Sequence, residues 1–415
     1  MRVVRLLILL LVTIITPSLA SAQTYPSAQD PRTNLKSGRF DAGVAASNMR
    51  LVSFSKKPAQ FDTVRGLTFI NSDLAFGTHF VYQANFAGFT IWDITDTAKP
   101  TLASVVECIT SQGDPSIVGN LLFISAEGAG NRNDCGKGGV QDPKDHMAGV
   151  RIFDVTNPKA PKLVKNVQTC KGSHTHTVVP SPTDANIIYL YVSGQSAARP
   201  ETELAGCKNG TDPADPTNSL YMLDIIKVPL NHPEQAVVIP GARIFTGLDG
   251  GGTCKQFCMP VNPNRAAGGR GGRGGAPGDA AAPAAANNFQ GRHTAAFSND
   301  GKKTIQTDEW GGGTGPMCQA SSMKELGGNT IISVDAKKKQ AQHGYFKLPS
   351  AQSAEENCVS HNGGIIPVPG RDLYVQGWYQ GGIDVMDFTD QDNAFEIAYF
   401  DRGSIDPPAG ADVPV

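Results

Sequence analysis

Gly88–Glu107 reads GFTIWDITDTAKPTLASVVE: an apolar strand ending in Asp93, a turn closed by Pro100, and a second apolar strand. The pattern returns at Gly149 (GVRIFDVTNPKAPKLVKNV), Ser219 (SLYMLDIIKVPL), Asn329 (NTIISVDAKKKQAQHGYFKL) and Gly381 (GGIDVMDFTDQDNAFEIAYF). Asp93, Asp154, Asp224, Asp335 and Asp387 anchor the copies, at spacings of 61, 70, 111 and 52 residues. An Asp placed there braces the turn by bonding its own downstream backbone. Repeats at such periods are supersecondary units that cannot bury their faces alone and must stack on one another. Because the unit is all-β, the closed solution is a single β-propeller of four-stranded blades.

Working outward, the second unit divides into Ser116–Val118, Leu121–Ala126, Val150–Val155 and Leu163–Val167, each β-branched or alternating. The first unit opens near Gly66, and the third, fourth and fifth at His176, His293 and His361. Met49–Phe54 is a lone strand, expected to close the ring as the outer strand of the last blade and remove an exposed edge. The propeller is expected over 47–405, after a flexible segment 23–46 and before a tail 406–415. The spacing of 111 reflects Thr246–Gln290, whose part 263–290 is a Gly/Ala/Arg-rich insert too poor in apolar residues to fold alone. It is a disordered excursion or a decayed blade, which leaves five recognisable blades or six. The RGG triplets at Arg270 and Arg273 read as flexible loop in an exported acidic chain.

Residues 1–22 read as a secretory signal: Arg2 and Arg5, the apolar run Leu6–Ile15, and Ala20-Ser21-Ala22 before Gln23. That run is half the roughly 20 residues a membrane span needs. The expected location is therefore secreted, periplasmic or cell-surface, with no membrane span. Formal charge is −2, and removing Arg2 and Arg5 takes it to about −4, so there is no basic footprint for nucleic acid. Charged residues make up only 18% and Gly numbers 46, which suits short strands and many turns. Eight cysteines fit export and permit four bridges.

If each first strand starts at one face of the ring, the 2–3 loops and the 4–1 connections lie on that same face, called the upper face below. Cys108, Cys170 and Cys358 precede first strands, while Cys135, Cys207 and Cys318 lie in 2–3 loops. Cys108–Cys135 and Cys170–Cys207 would be equivalent bridges in successive blades; Cys254, Cys258, Cys318 and Cys358 are harder to pair. His174, His176, His293 and His361 stand at the starts of first strands, near the axis, with Asp114 at the matching place in the second blade. Asp308 and Glu309, ending a second strand, and the loop near Glu127 face the same way. Imidazoles converging with an acid suit zinc, copper or iron. Equally, histidines at strand starts can bond neighbouring backbone and only fix blade registry. No HExxH, CxxC, P-loop, GxSxG or paired-carboxylate motif specifies a reaction.

GFTIWDITD, GVRIFDVTN and GGIDVMDFTD resemble the LVIVD repeat of exported bacterial β-propeller proteins, over about Val64 to Arg402. HTHTVVPSPTDANIIYLYVSG, HTAAFSNDGKKTIQTDEWGGGTGP and ENCVSHNGGIIPVPGRDLYVQGWYQGGIDVMDFTD carry the resemblance furthest. It implies a propeller outside the cytoplasm and no defined activity. Relatives of that kind carry a further blade opening with Cys-His-Asp where this chain has its Gly/Ala-rich stretch, which bears on the blade count. At the level of architecture and axial histidines alone, the chain is similar to the selenium-binding proteins, which include a copper-dependent methanethiol oxidase.

Two functions follow as expectations. The first is a binding scaffold at the cell envelope, taking a protein, peptide, glycan or small-molecule ligand on the upper face. Its contacts would come from Trp310, Trp378 and Tyr379 beside disulfide-pinned loops. The alternative is a metal-dependent enzyme, an oxidoreductase above all, with His174, His176, His293 and His361 as ligands and Asp114 or Glu309 assisting. The two are separated by whether imidazole nitrogens approach a single point.

Overall fold

The computed structural model describes residues 25, 27, 29–64, 69–194, 197–210, 215–239, 241–243, 292–310, 319–322, 326–335, 340–352 and 356–405. Residues 1–22 and the 263–290 insert lie outside these. Five antiparallel sheets follow one another along the chain. The first blade is β2 (Asn71–Phe76), β3 (Phe80–Asn85), β4 (Gly88–Asp93) and β5 (Thr101–Glu107). The second is β6 (Pro115–Val118), β7 (Leu121–Ala126), β8 (Gly149–Asp154) and β9 (Lys162–Gln168). The third is β10 (Thr175–Pro180), β11 (Ile187–Ser193), β12 (Asp224–Pro229) and β13 (Val237–Ile239). The fourth is β14 (Arg292–Phe297), β15 (Lys303–Asp308), β16 (Asn329–Val334) and β17 (Gln340–Phe346). The fifth is β18 (Gly363–Val368), β19 (Arg371–Gly377), β20 (Ile383–Asp387) and β21 (Phe395–Arg402). First strands of neighbouring blades touch, β2 with β6 and β14 with β18, so they line the axis. The protein is a five-bladed β-propeller.

The core lies between blades. Along β7 the run LLFISA is buried throughout, because its alternate residues serve opposite faces. Leu122 and Ile124 pack on Phe89 and Ile91 of the first blade, and Leu121 and Phe123 on Ile188, Leu190 and Ile226 of the third. Each fully buried side chain of this kind stabilises by about 1.5–3 kcal/mol. The glycine opening a third strand is a steric necessity: a Cβ on Gly88 (φ 153°) would lie 1.9 Å from the Val106 carbonyl, and on Gly149 (φ 148°) 2.0 Å from that of Val167.

Asp93, Asp154 and Asp387 brace their turns, accepting from the backbone N–H of Thr95, Thr156 and Thr389 at 2.8–2.9 Å. Asp224 does not: it opens β12 instead of ending a strand, and Pro229 holds the place that Asp154 holds in the second blade. The motif of the third copy is therefore one strand-length out of step with the others.

The ring closes through the N-terminus, but not through Met49–Phe54. The strand added outside β21 is β1 (Val44–Ser47), with Val44 opposite Arg402 and Ser47 opposite Tyr399. Once β1 has used that edge, Leu51, Val52 and Phe54 remain exposed, and only Met49 packs inward. The segment before β1, expected as a flexible lead-in, is tied down. The fully buried Arg32 guanidinium bridges Asp30 and Glu396 of β21, 2.7 Å from each, and stacks over Tyr399.

Cys108–Cys135 and Cys170–Cys207 form, with Cα separations of 4.5 and 5.3 Å. Each pins a 2–3 loop to its own blade on the upper face. Cys358 is also disulfide-bonded; Cys254, Cys258 and Cys318 lie outside the described residues. No described helix is long and apolar enough to cross a membrane.

Candidate metal centre

The axial residues sort into two layers. The deeper one is a belt with one member per blade. His176 of β10 receives Asp114 twice: its backbone N–H donates to Oδ2 at 2.8 Å and its Nδ1 lies 3.2 Å from the same oxygen. Nδ1 also meets the Ser125 hydroxyl at 2.9 Å. Asp73 of β2 faces Asp114 and accepts from Asn362 Nδ2 at 2.6 Å. Asn362 in turn accepts from the Thr294 hydroxyl at 2.8 Å. Burial first, then the Asp114 charge and a carboxyl–carboxyl hydrogen bond, push the Asp73 pKa up to about 8.

The upper layer lies nearer the mouth. His174 precedes His176 by two residues, so strand alternation puts both rings on the same side, about 7 Å apart along β10. His174 Nδ1 meets Glu127 Oε1 at 3.0 Å, and its Nε2 lies 3.4 Å from the Gln112 amide. His293 of β14 places Nδ1 3.1 Å from the Thr294 hydroxyl and leaves Nε2 buried, with no hydrogen-bond partner. A bulge between Arg292 and Ala295 is what lets the adjacent His293 and Thr294 both serve the axis. Glu309, just past β15, receives the Tyr379 hydroxyl on Oε1 and holds Oε2 3.8 Å from His293 Nε2. His361 Nε2 lies 3.5 Å from Glu309 Oε1. The rings run in file, with centroids 5.5 Å apart from His174 to His293, 4.2 Å on to His361 and 4.7 Å on to Tyr379.

The donor atoms of His174, His293 and Glu309 lie within 4.8 Å of one another. Two donors on one transition ion stand about 3.3–4.2 Å apart, given bonds near 2.0–2.1 Å, so a small side-chain rotation would close the set. Burial sets their protonation. Desolvation, then the His174 charge, lowers His293 to about 4. Desolvation, then His293 and His174, pushes His361 well below the usual imidazole range. Burial alone would depress His174 too, but the Glu127 hydrogen bond and charge, with Glu309 and Asp114 behind, outweigh it and raise its pKa. Glu309 is raised, by burial and the Glu127 charge against the pull of Tyr379 and His174.

Of the residues singled out in the sequence, the structure brings together His174, His293, His361, Glu309 and Tyr379. His176 and Asp114 sit in the belt. Trp310 is half-buried beside Glu309. Trp378 is fully buried against Phe346 in the fifth blade's core and offers no surface to a ligand.

No family model and no curated protein matches the chain. Among solved structures it is similar to a protein from Lactobacillus plantarum, at 8% identity over 80% of this chain and 85% of that one, TM-score 0.39. A candidate 6-phosphogluconolactonase from Bacteroides fragilis aligns at 12% identity over 81% and 84%, TM-score 0.38. A candidate TolB from Agrobacterium tumefaciens aligns at 7% over 81% and 91%, TM-score 0.32. At these values the fold rests on the sheet order itself and no activity is inherited.

Asp73, Gln112 and Glu127 complete the picture beyond the residues ranked from sequence. Two signals were available. Glu127 and Glu309 occupy the same place, two residues past Ser125 and Thr307 of the equivalent strands β7 and β15, and each meets the histidine of the next blade. Asp73 lies on β2, at the first-strand position that holds His176 in the third blade and Thr294 in the fourth.

Proposed function

We propose that the chain is an exported β-propeller, related to the LVIVD-repeat proteins, whose upper face binds a divalent transition metal at its axis. His174, His293 and Glu309 are the protein ligands, and His361 stands beside them. One observation carries the reading: the donor atoms of the three lie within 4.8 Å of one another, and each side chain is held from behind by a neighbour. Glu127 holds Nδ1 of His174, Thr294 holds Nδ1 of His293, and Tyr379 holds Oε1 of Glu309. Such outer hydrogen bonds orient metal-ligating histidines and carboxylates. Nitrogen and carboxylate donors favour zinc, copper or iron. Three protein ligands at a partly exposed mouth leave a coordination position to a small ligand, as reactive sites do. The disulfide-pinned loops around the mouth support the same face as the place where an envelope partner or substrate is received.

The test is metal analysis of the exported protein, followed by calorimetric titration of the stripped protein with Zn2+ and Cu2+. The expected result is one ion per chain, abolished in His293→Ala and weakened but still measurable in Glu309→Gln. Metal-free protein that takes up neither ion would refute the reading and return the propeller to a purely organic ligand.

A further inference from the structure

Tyr379 occupies a backbone conformation that side chains avoid. Its φ is 52°, in the left-handed region, where a bulky residue costs about 1–3 kcal/mol and persists only if its surroundings insist on it. They do. The turn Tyr379–Gly381 is clamped by Gly381 N–H to the Trp378 carbonyl (2.8 Å) and Trp378 N–H to the Gly382 carbonyl (2.9 Å). Gln380 is held from both ends by Asn357, at 2.8 Å in each direction. Asn357 and Cys358 belong to the segment that leads into His361, and a Cβ on Gly381 would come within 2.7 Å of the Cys358 Cβ. The turn and the His361 segment thus form one braced unit. A turn with this geometry asks for glycine, and glycines stand at 381 and 382. At 379 the chain keeps a tyrosine, with its ring against His361 and its hydroxyl on Glu309.

On the metal reading above, we infer that Tyr379 is a positioning residue that makes Glu309 a one-oxygen ligand. By donating to Oε1 it fixes the carboxylate plane and leaves Oε2, the oxygen 3.8 Å from His293 Nε2, to the ion. A carboxylate free to rotate could bind through both oxygens or swing toward His361. The hydroxyl also compensates a carboxylate that is nine-tenths buried and otherwise short of donors. The device is local to the fourth and fifth blades: the equivalent Glu127 is held by His174 and has no tyrosine.

The probe is Co2+, whose visible absorption reports coordination number and geometry, titrated into metal-free wild type, Tyr379→Phe, Glu309→Gln and the double variant. Phenylalanine keeps the ring on His361 and removes only the hydroxyl. Tyr379→Phe is expected to stay folded with a modestly lower melting temperature, lose about 10–100-fold in Co2+ affinity and shift the absorption bands toward higher coordination. In the Glu309→Gln background the same change should have no further effect, a coupling that a merely structural role would not produce. The inference is overturned if Tyr379→Phe binds Co2+ with wild-type affinity and spectrum, or if its loss is undiminished beside Glu309→Gln. Wild type that binds no Co2+ would instead bring down the metal reading itself, and this inference with it.

Discussion

His174 and His176 sit two residues apart, one just before β10 and one on it, face the same channel, and do different jobs. His176 has Asp114 and Ser125 on Nδ1 and a backbone N–H bonded to the same Asp114, so it belongs to a network that ties blade to blade. His174 has Glu127 on Nδ1 and Gln112 on Nε2, and its donor atom lies within 4.8 Å of those of His293 and Glu309. The belt is tied by its own hydrogen bonds, although His176 Nε2 is left buried without a partner; the upper cluster instead gathers the donor atoms of His174, His293 and Glu309 within 4.8 Å of one another. What separates the two histidines here is which other donors gather within reach of the ring, which neither residue type nor sequence position reveals.

The largest effect should come from the upper layer. His293→Ala removes a ligand and should lower Zn2+ or Cu2+ affinity by at least about 100-fold. Apo stability should be little changed, because the imidazole it removes is buried with an unpartnered Nε2. Titration calorimetry beside a thermal melt checks both halves. Asp114→Ala should do the reverse. It strands the His176 N–H and the Asp73 carboxyl at a cost of about 1–3 kcal/mol, read by urea unfolding, while the metal stoichiometry stays at one.

Glu127→Gln should be milder, since the amide still reaches His174 but no longer as an anion. About a tenfold loss of metal affinity is expected, with unchanged stoichiometry. A loss as large as that of His293→Ala would make Glu127 a ligand and redraw the boundary of the site.

The effect confined to a pH window is a difference in slope. Asp73 is raised from 3.8 to about 8, so the native state holds a proton that the unfolded state releases between those values. Its contribution is therefore fully present below pH 3.8 and is lost as pH rises toward 8. His293 runs the other way: lowered from 6.5 to about 4, it costs stability as pH falls through that window. Asp73→Asn should flatten the neutral limb of the stability profile and leave the acid limb in place. Identical profiles for variant and wild type would show that Asp73 does not titrate differently in the native and unfolded states.

Much of the fold was legible, and for definite reasons. GFTIWD, GVRIFD and the second glycine of GGIDVMD each begin a third strand where a neighbouring carbonyl leaves no room for a Cβ, so the glycine and the turn aspartate mark the same strand at both ends. The pairings Cys108–Cys135 and Cys170–Cys207 followed from loop order alone. SLYMLDIIKVPL misled because its aspartate begins the strand, and Met49–Phe54 because an apolar run reads as a strand whether or not an edge is free. At the site, the histidines and Glu309 could be placed on one face by topology. Their division into belt and cluster could not, because it depends on the bulge at Arg292–Ala295 and on individual hydrogen bonds. Tyr379 was read as a binding aromatic; its strained backbone and its grip on Glu309 have no sequence signature beyond the two glycines that follow.

The most direct measurement is a paired metal assay on His174→Ala and His176→Ala, each exported, stripped, reloaded with Zn2+ and analysed for bound metal. The account predicts that His174→Ala keeps its melting temperature within a few degrees and holds no stoichiometric ion, while His176→Ala melts lower and still holds one. Metal retained by His174→Ala, or lost from a folded His176→Ala, would contradict the division of the channel into a structural belt and a metal centre.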